Sequence, residues 1–198
     1  MTEPPILLEG MLSIEAAFKT NSRPIQAICV RENHKDYAVA KLVKAAEANG
    51  IAVYRVPEDE IDLQARGTTH GGIIAFVGER RYTPLELLTK GIADAWIVML
   101  DGVEDPYNYG QAIRAFYAAG AHGLVTRGRD WSHAAGTVAR ASAGASELIP
   151  TALVESVEDA AAVLRTAGLK IVVADKRRAL PMYKANLRGG LFLIIGGE

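Results

Sequence analysis

The 198-residue chain has a single cysteine, Cys29, so no disulfide can form within it. A lone thiol in the apolar run Ile28-Cys29-Val30 reads as a small core residue. The opening Met1-Thr2-Glu3-Pro4-Pro5 has neither the basic region nor the apolar stretch of a signal peptide, so a reducing, cytoplasmic setting is expected. Long hydrophobic runs are missing too. Ala95 to Leu100 and Leu191 to Ile195 fall far short of the roughly 20 residues that span a bilayer. Nor does one sign of charge dominate: 22 basic against 23 acidic side chains give a net charge of −1, which argues against coating nucleic acid by bulk charge and leaves local patches open.

The usual chemical fingerprints are absent as well. No G-x-G-x-x-G follows a strand into a helix and no G-x-x-x-x-G-K-[ST] occurs, which argues against a dinucleotide-binding dehydrogenase or a P-loop enzyme. His34, His70, His122 and His133 lack ligand spacing and no second cysteine supports them, so no metal site is expected. Without a G-x-S-x-G elbow, a hydrolase has no support.

What is there describes a globular protein, 49% apolar and 23% charged, long enough for one large domain or two small ones. Short runs rich in β-branched residues (Ile25 to Val30, Ile51 to Val56, Ile73 to Val77, Ala95 to Leu100, Gly123 to Thr126, Lys170 to Ala174, Leu191 to Ile195) read as strands buried on both faces. Helical segments alternate with them. Lys35 to Asn49 puts Ala38, Leu42, Ala45 and Ala46 on one stripe and stops at Gly50. Thr83-Pro84-Leu85-Glu86 reads as a capping box, and Ser156-Val157-Glu158-Asp159 opens a further helix. The alternation predicts an α/β fold with mainly parallel pairing, divided near Glu86 into residues 1–85 and 86–198.

Three basic clusters follow strand-like runs: Arg80-Arg81, Arg127 with Arg129, and Lys176-Arg177-Arg178. Each reads singly as solvated loop, and their repetition at strand ends makes them candidate contacts to an anionic partner. A more specific segment runs from Val98 to Ala121. An apolar strand ends at Asp101, a loop containing Asp105-Pro106 follows, and a helix is predicted from about Tyr109 to Gly120. Asn108 falls where a cap belongs, and Arg114 lies about one and a half turns beyond, able to point back toward the loop. Function concentrates at the carboxyl ends of parallel strands.

Asp105-Pro106-Tyr107-Asn108-Tyr109-Gly110 with Arg114, a D-P-x-N-x-G-x-x-x-R pattern after a strand, resembles the first motif of the SpoU, or TrmH-like, RNA 2′-O-methyltransferases of the SPOUT superfamily. Arg140-Ala141-Ser142-Ala143-Gly144-Ala145 resembles that family's S-x-G-A segment, and Ile194-Ile195-Gly196-Gly197-Glu198 the start of its second motif. Glu9-Gly10 with the Ala-rich stretch after it, and His70-Gly71-Gly72-Ile73-Ile74-Ala75, resemble its amino-terminal substrate-binding domain. The resemblance spans nearly the whole chain.

It implies a ribosomal-protein-like α/β substrate-binding domain in residues 1–85 and a mainly parallel SPOUT-type methyltransferase domain in 86–198. The family's second motif continues past its Glu and a third motif closes a knotted cofactor site, so that segment is expected to be missing from a chain ending at Glu198. The implied cofactor is S-adenosylmethionine and the implied partners are ribosomal or transfer RNA and a second copy of the chain. Arg114 takes the central catalytic role, with Asn108 and Glu198 as companions. Gly196, Gly197 and Ala174 are the implied cofactor contacts, and Arg80, Arg81 and Arg114 the implied RNA contacts. The competing reading is an RNA-binding module with an inactive, incomplete methyltransferase half.

Overall fold

The computed structural model describes residues 6–128, 134–176 and 179–196. They fall into two compact units, one drawn from Met1–Arg81 and Trp131–Leu148, the other from Tyr82–Asp130 and Ile149–Glu198. No helix among the described residues is long and apolar enough to cross a membrane.

The first unit contains β1 (Ile6–Glu9), α1 (Met11–Thr20), β2 (Ile25–Arg31), α2 (Tyr37–Ala48), β3 (Ala52–Val56), α3 (Glu58–Gln64) and β4 (Ile73–Val77). To these it adds α5 (Ala135–Ala141) and α6 (Ala145–Leu148) from much later in the chain. Its sheet runs β1-β4-β2-β3 and is mixed: β4 pairs antiparallel with β1 and β2, and only β2 with β3 is parallel. Strand alternation sends Leu8, Ile28, Val30, Ile73, Ala75 and Val77 into one core with α1, α2 and Ala139, while Cys29 and Ile74 face the opposite side with Ile61 of α3. The core reading of Cys29 holds, and burial pushes its thiol up from its ordinary value.

Two local expectations are corrected. The buried stripe of α2 is Val39, Leu42, Val43 and Ala46, one position round from the predicted face, because the bulkier β-branched residues take the core. Asp36 caps that helix by accepting from the Ala38 and Val39 N–H groups. Strand β3 is largely exposed, as suits the edge of a sheet.

The second unit is an all-parallel sheet in the order β7-β6-β5-β9-β8, built from β5 (Trp96–Asp101), β6 (Gly123–Arg127), β7 (Thr151–Val154), β8 (Lys170–Ala174) and β9 (Leu191–Gly196). Strand β8 is also an exposed edge. Helix α4 (Pro106–Ala118) follows β5, and α7 (Val157–Thr166) follows β7. Ser156 caps α7 as predicted, accepting from the Asp159 N–H at 3.0 Å. Thr83-Pro84-Leu85-Glu86 does not form a capping box: Leu85–Leu88 is one 3-10 turn without a side-chain cap, and the Thr83 N–H donates to Thr151 O.

The added segment of the first unit is anchored by Glu147, only 2% exposed. Ser22 Oγ donates to Glu147 Oε2 at 2.6 Å, and the Arg23 and Arg80 guanidiniums pair with the same oxygen at 3.2 and 3.3 Å. Burial raises the Glu147 pKa, but Arg80, Arg23 and the Ser22 hydroxyl outweigh it and hold the carboxyl below its ordinary value. Its stabilising contribution is therefore complete above the unfolded-state pKa and lost as pH falls through the depressed folded value. Glu147→Gln leaves two buried guanidiniums facing a neutral amide and should cost about 3 kcal/mol in urea unfolding at neutral pH. That deficit should narrow below about pH 4, where the parent loses the same charge.

Candidate active site

In the second unit β5 leads to β6 and β7 on one side, whereas β9, reached through β8, lies on its other side. The order reverses between β5 and β9, and such a switch point leaves a crevice outside the carboxyl ends of the strands. Register puts Asp101 opposite Gly196 and Ala174 opposite Ile195, so Asp101, Gly196 and Ala174 all end at that edge. Arg127, at the end of β6, pairs with Asp101 at 2.5 Å across the strand ends.

Helix α4 rises from this edge, and its start differs from the prediction. Asp105 is the N-cap, its Oδ1 accepting from the Asn108 N–H at 2.7 Å, with Pro106 at the first helical position. The Asp-Pro pair was the available signal: a short acceptor before a residue that lacks an N–H is a strong helix start. Asn108 therefore lies inside the first turn, exposed, and its side chain makes no hydrogen bond among the described residues. The buried face carries Tyr109, Gly110 and Ile113, with Tyr109 OH donating to Thr126 Oγ1 at 3.2 Å. Phe116 packs edge-on to Trp96 with ring centroids 6.1 Å apart.

Arg114 is exposed and has no ion pair among the described residues. It lies about 9 Å along the axis from Asn108, and since helix side chains tilt toward the N-terminus, Arg114 reaches back over the turn that precedes it. Its cation and the Asn108 amide thus stand on the solvent side of the helix that opens at the switch point.

Gly196 and Ala174 are small and exposed, and a Cβ built at Gly196 would come no nearer than 4.0 Å to Asp101 O. Backbone at these two strand ends is therefore open to solvent. Gly197 and Glu198 lie outside the described residues, as do Arg129, His133, Arg177 and Arg178. Of the candidate RNA contacts in the first unit, Arg80 turns its guanidinium inward to Glu147 with its side chain 12% exposed, whereas Arg81 is exposed and donates to Asn21 O at 3.1 Å.

A parallel α/β unit with such a site is joined to a small mixed α/β unit, and family profiles match both. Residues 95–198 match the SpoU rRNA Methylase family, and residues 7–83 match the RNA 2′-O ribose methyltransferase substrate binding family. The chain belongs to the SpoU rRNA methylase family.

Among its relatives, the 23S rRNA (guanosine-2′-O-)-methyltransferase RlmB of Ralstonia nicotianae is 30% identical over 198 residues, 97% of this chain and 78% of that protein. RlmB of Escherichia coli K12 is 25% identical over 195 residues, 97% of this chain and 80% of that protein. The crystal structure of an rRNA methyltransferase from Sinorhizobium meliloti superposes with a TM-score of 0.77 at 25% identity, covering 96% of this chain and 70% of that one. The SpoU methyltransferase AviRb from Streptomyces viridochromogenes, solved in complex with AdoMet, shares the fold with a TM-score of 0.77 at 21% identity, covering 97% and 73%.

The cap assignment separates two neighbouring residues by experiment. Asp105→Ala should destabilise the chain by about 1 kcal/mol, the usual cost of a lost N-cap. Asn108→Ala should stay within about 0.5 kcal/mol of the parent, as for an exposed side chain without partners. Chemical denaturation of both variants checks this, and a larger loss for Asn108→Ala would return the cap to that residue.

Proposed function

We propose that the chain transfers a methyl group from S-adenosylmethionine to a ribose 2′-hydroxyl of ribosomal RNA. The observation that carries this reading is helix α4, which follows the carboxyl end of β5: with Asp105 taking over the cap, Asn108 in its first turn and Arg114 in its third are left exposed and without partners among the described residues. Bound there, the cofactor supplies an electrophilic methyl on a sulfonium. Ala174 and the backbone of Gly196 are the described residues that would hold it, with Gly197 added by the family resemblance.

Arg114 keeps its charge throughout the working pH range, which makes it a fixed cation rather than an ordinary base. A fixed cation can grip the phosphate beside the target ribose and stabilise the alkoxide character of its 2′-oxygen as the proton leaves. The Asn108 amide offers both a donor and an acceptor to orient the ribose, and the family pattern makes Glu198 a charge partner of Arg114. Arg81 adds an exposed cation on the first unit for the RNA backbone, while the Arg80 contact with Glu147 favours a structural role for that residue. A cytoplasmic location fits the single reduced thiol. A calorimetric titration with S-adenosylmethionine separates methyl transfer from RNA binding without transfer.

Arg114→Ala should cut turnover on ribosomal RNA by about 100-fold or more, the scale of losing one preorganised charge-stabilising group, with the melting temperature barely moved. Arg114→Lys should fail nearly as badly, since an ammonium cannot reproduce a planar two-pronged contact. Near-normal methylation by the Ala variant would make Arg114 a plain helix residue. The protein is also expected to pair through its second unit, where Tyr107 and Tyr117 of α4 remain 56% and 41% exposed while Tyr109 is buried. Light scattering at micromolar concentration should give a dimer, and a monomer there would count against pairing.

A further inference from the structure

The first unit holds a cleft of about 530 Å³ that none of the family motifs in the second unit accounts for. It lies between the end of β2, helix α3 and the loop from α3 to β4, and its chemistry is mixed. Arg31 Nη1 pairs with Glu58 Oε1 at 2.5 Å, and His70 Nε2 with Asp62 Oδ1 at 2.9 Å. Each carboxylate thus keeps its second oxygen, Glu58 Oε2 and Asp62 Oδ2, without a partner among the described residues, on side chains 57% and 59% exposed. Arg66 is exposed, and among the described residues its guanidinium has no partner and the Gly67 and Thr68 amides beside it have no acceptor.

The wall is built in advance rather than left loose. Glu9, 2% exposed, accepts from the Arg66 N–H at 2.7 Å with one oxygen and pairs with Arg140 through the other. Gly67 lies so close to the Arg140 guanidinium that any Cβ there would overlap it. At the other end, the Gly72 N–H donates to His70 Nδ1 at 3.1 Å, which places the ring proton on Nε2, facing Asp62. The Arg31 N–H in turn donates to Gly72 O at 2.9 Å.

Resting on the reading of this unit as RNA-contacting, we propose that the cleft takes one unstacked guanosine nucleotide of the substrate RNA. A free anion would meet two carboxylates and a basic peptide two arginines, so the ligand must carry donors and an anion together. Guanine presents N1–H and the N2 amino group side by side to a carboxylate, and its phosphate suits Arg66 with the Gly67 and Thr68 amides. Uracil offers a single N–H flanked by carbonyl oxygens that the carboxylates repel. The volume is within the range of small-ligand pockets.

The test uses the full chain, isotope-labelled for amide shifts, and two RNA pentamers, UUGUU and all-U, with fluorescence anisotropy for affinity. The guanine pentamer should bind about tenfold more tightly and shift the amides of Arg66, Gly67 and Thr68. Asp62→Asn should erase that preference, by weakening the guanine pentamer and not the all-U one, whose carbonyl oxygens no longer meet that charge. Glu58→Gln should reduce the preference in the same direction without touching His70, which guards against a folding effect of the first variant. Arg66→Ala should weaken both pentamers and flatten the salt dependence by about one phosphate contact. Equal affinity for the two pentamers, or shifts lying away from the cleft, overturns the proposal. Should S-adenosylmethionine bind and ribosomal RNA be methylated in that case, the transferase reading stands without the cleft; loss of both results removes both.

Discussion

A buried carboxylate, Glu147, is the constraint on which the first unit depends. Two guanidiniums and a hydroxyl meet it, and the Thr20 hydroxyl donates to its carbonyl at 2.9 Å, so one residue of α6 is tied to four residues of the first 81. Because a buried charge deprived of its partners is so costly, these contacts must form together or fail together. The neighbouring turn has a matching demand. Ala143 and Gly144 both adopt positive φ, 51° and 84°, and a Cβ at Gly144 would come within 2.6 Å of Leu12 O in α1. The stretch that resembles the family's S-x-G-A segment thereby acquires a packing role: its glycine admits the close approach that the Glu147 cluster requires.

The second unit depends instead on strand order. Once β9 inserts beside β5 rather than beside β7, the carboxyl ends of two central strands open onto the same crevice, and the loop from β5 has to carry its helix away from that point. Asp101 and Arg127 bridge the ends of β5 and β6, and the Tyr109–Thr126 hydrogen bond fixes the first turn of α4 on the sheet. The helix is held from below by its buried face. Its solvent face is then free to carry polar groups that do nothing for stability.

Much of this was legible in the sequence where the signal is local. The strands Ile73–Val77 and Lys170–Ala174 appear with their predicted bounds, and Ser156 caps as read. Local signals failed where two readings competed for one residue. Asn108 and Asp105 are both good caps, and the proline decided between them; Thr83 had the right spacing for a box, but its backbone was claimed by Thr151. What no local pattern could reveal is pairing across distance. Arg23 and Glu147 are 124 residues apart, and nothing near either predicts the partner, so residues 134–148 could not be placed with the first unit, nor the mixed pairing of its sheet foreseen. The cleft beside Arg66 has the same origin, since Glu9 and Arg140 shape it from 57 and 74 positions away in sequence.

Within the Asp105 to Arg114 pattern the structure divides labour by position. Asp105 and Pro106 start the helix, one by accepting an N–H and the other by needing no acceptor. Tyr109, Gly110 and Ile113 seat it. Asn108 and Arg114 do neither, and their removal would leave cap, core and hydrogen bonds as they are. Exposure and polarity alone are what the solvent face of any helix shows, so what sets Asn108 and Arg114 apart is their place in the pattern that follows β5. On the function proposed above, their chemistry is directed outward, to a ligand that brings negative charge and hydroxyl groups to the end of the sheet.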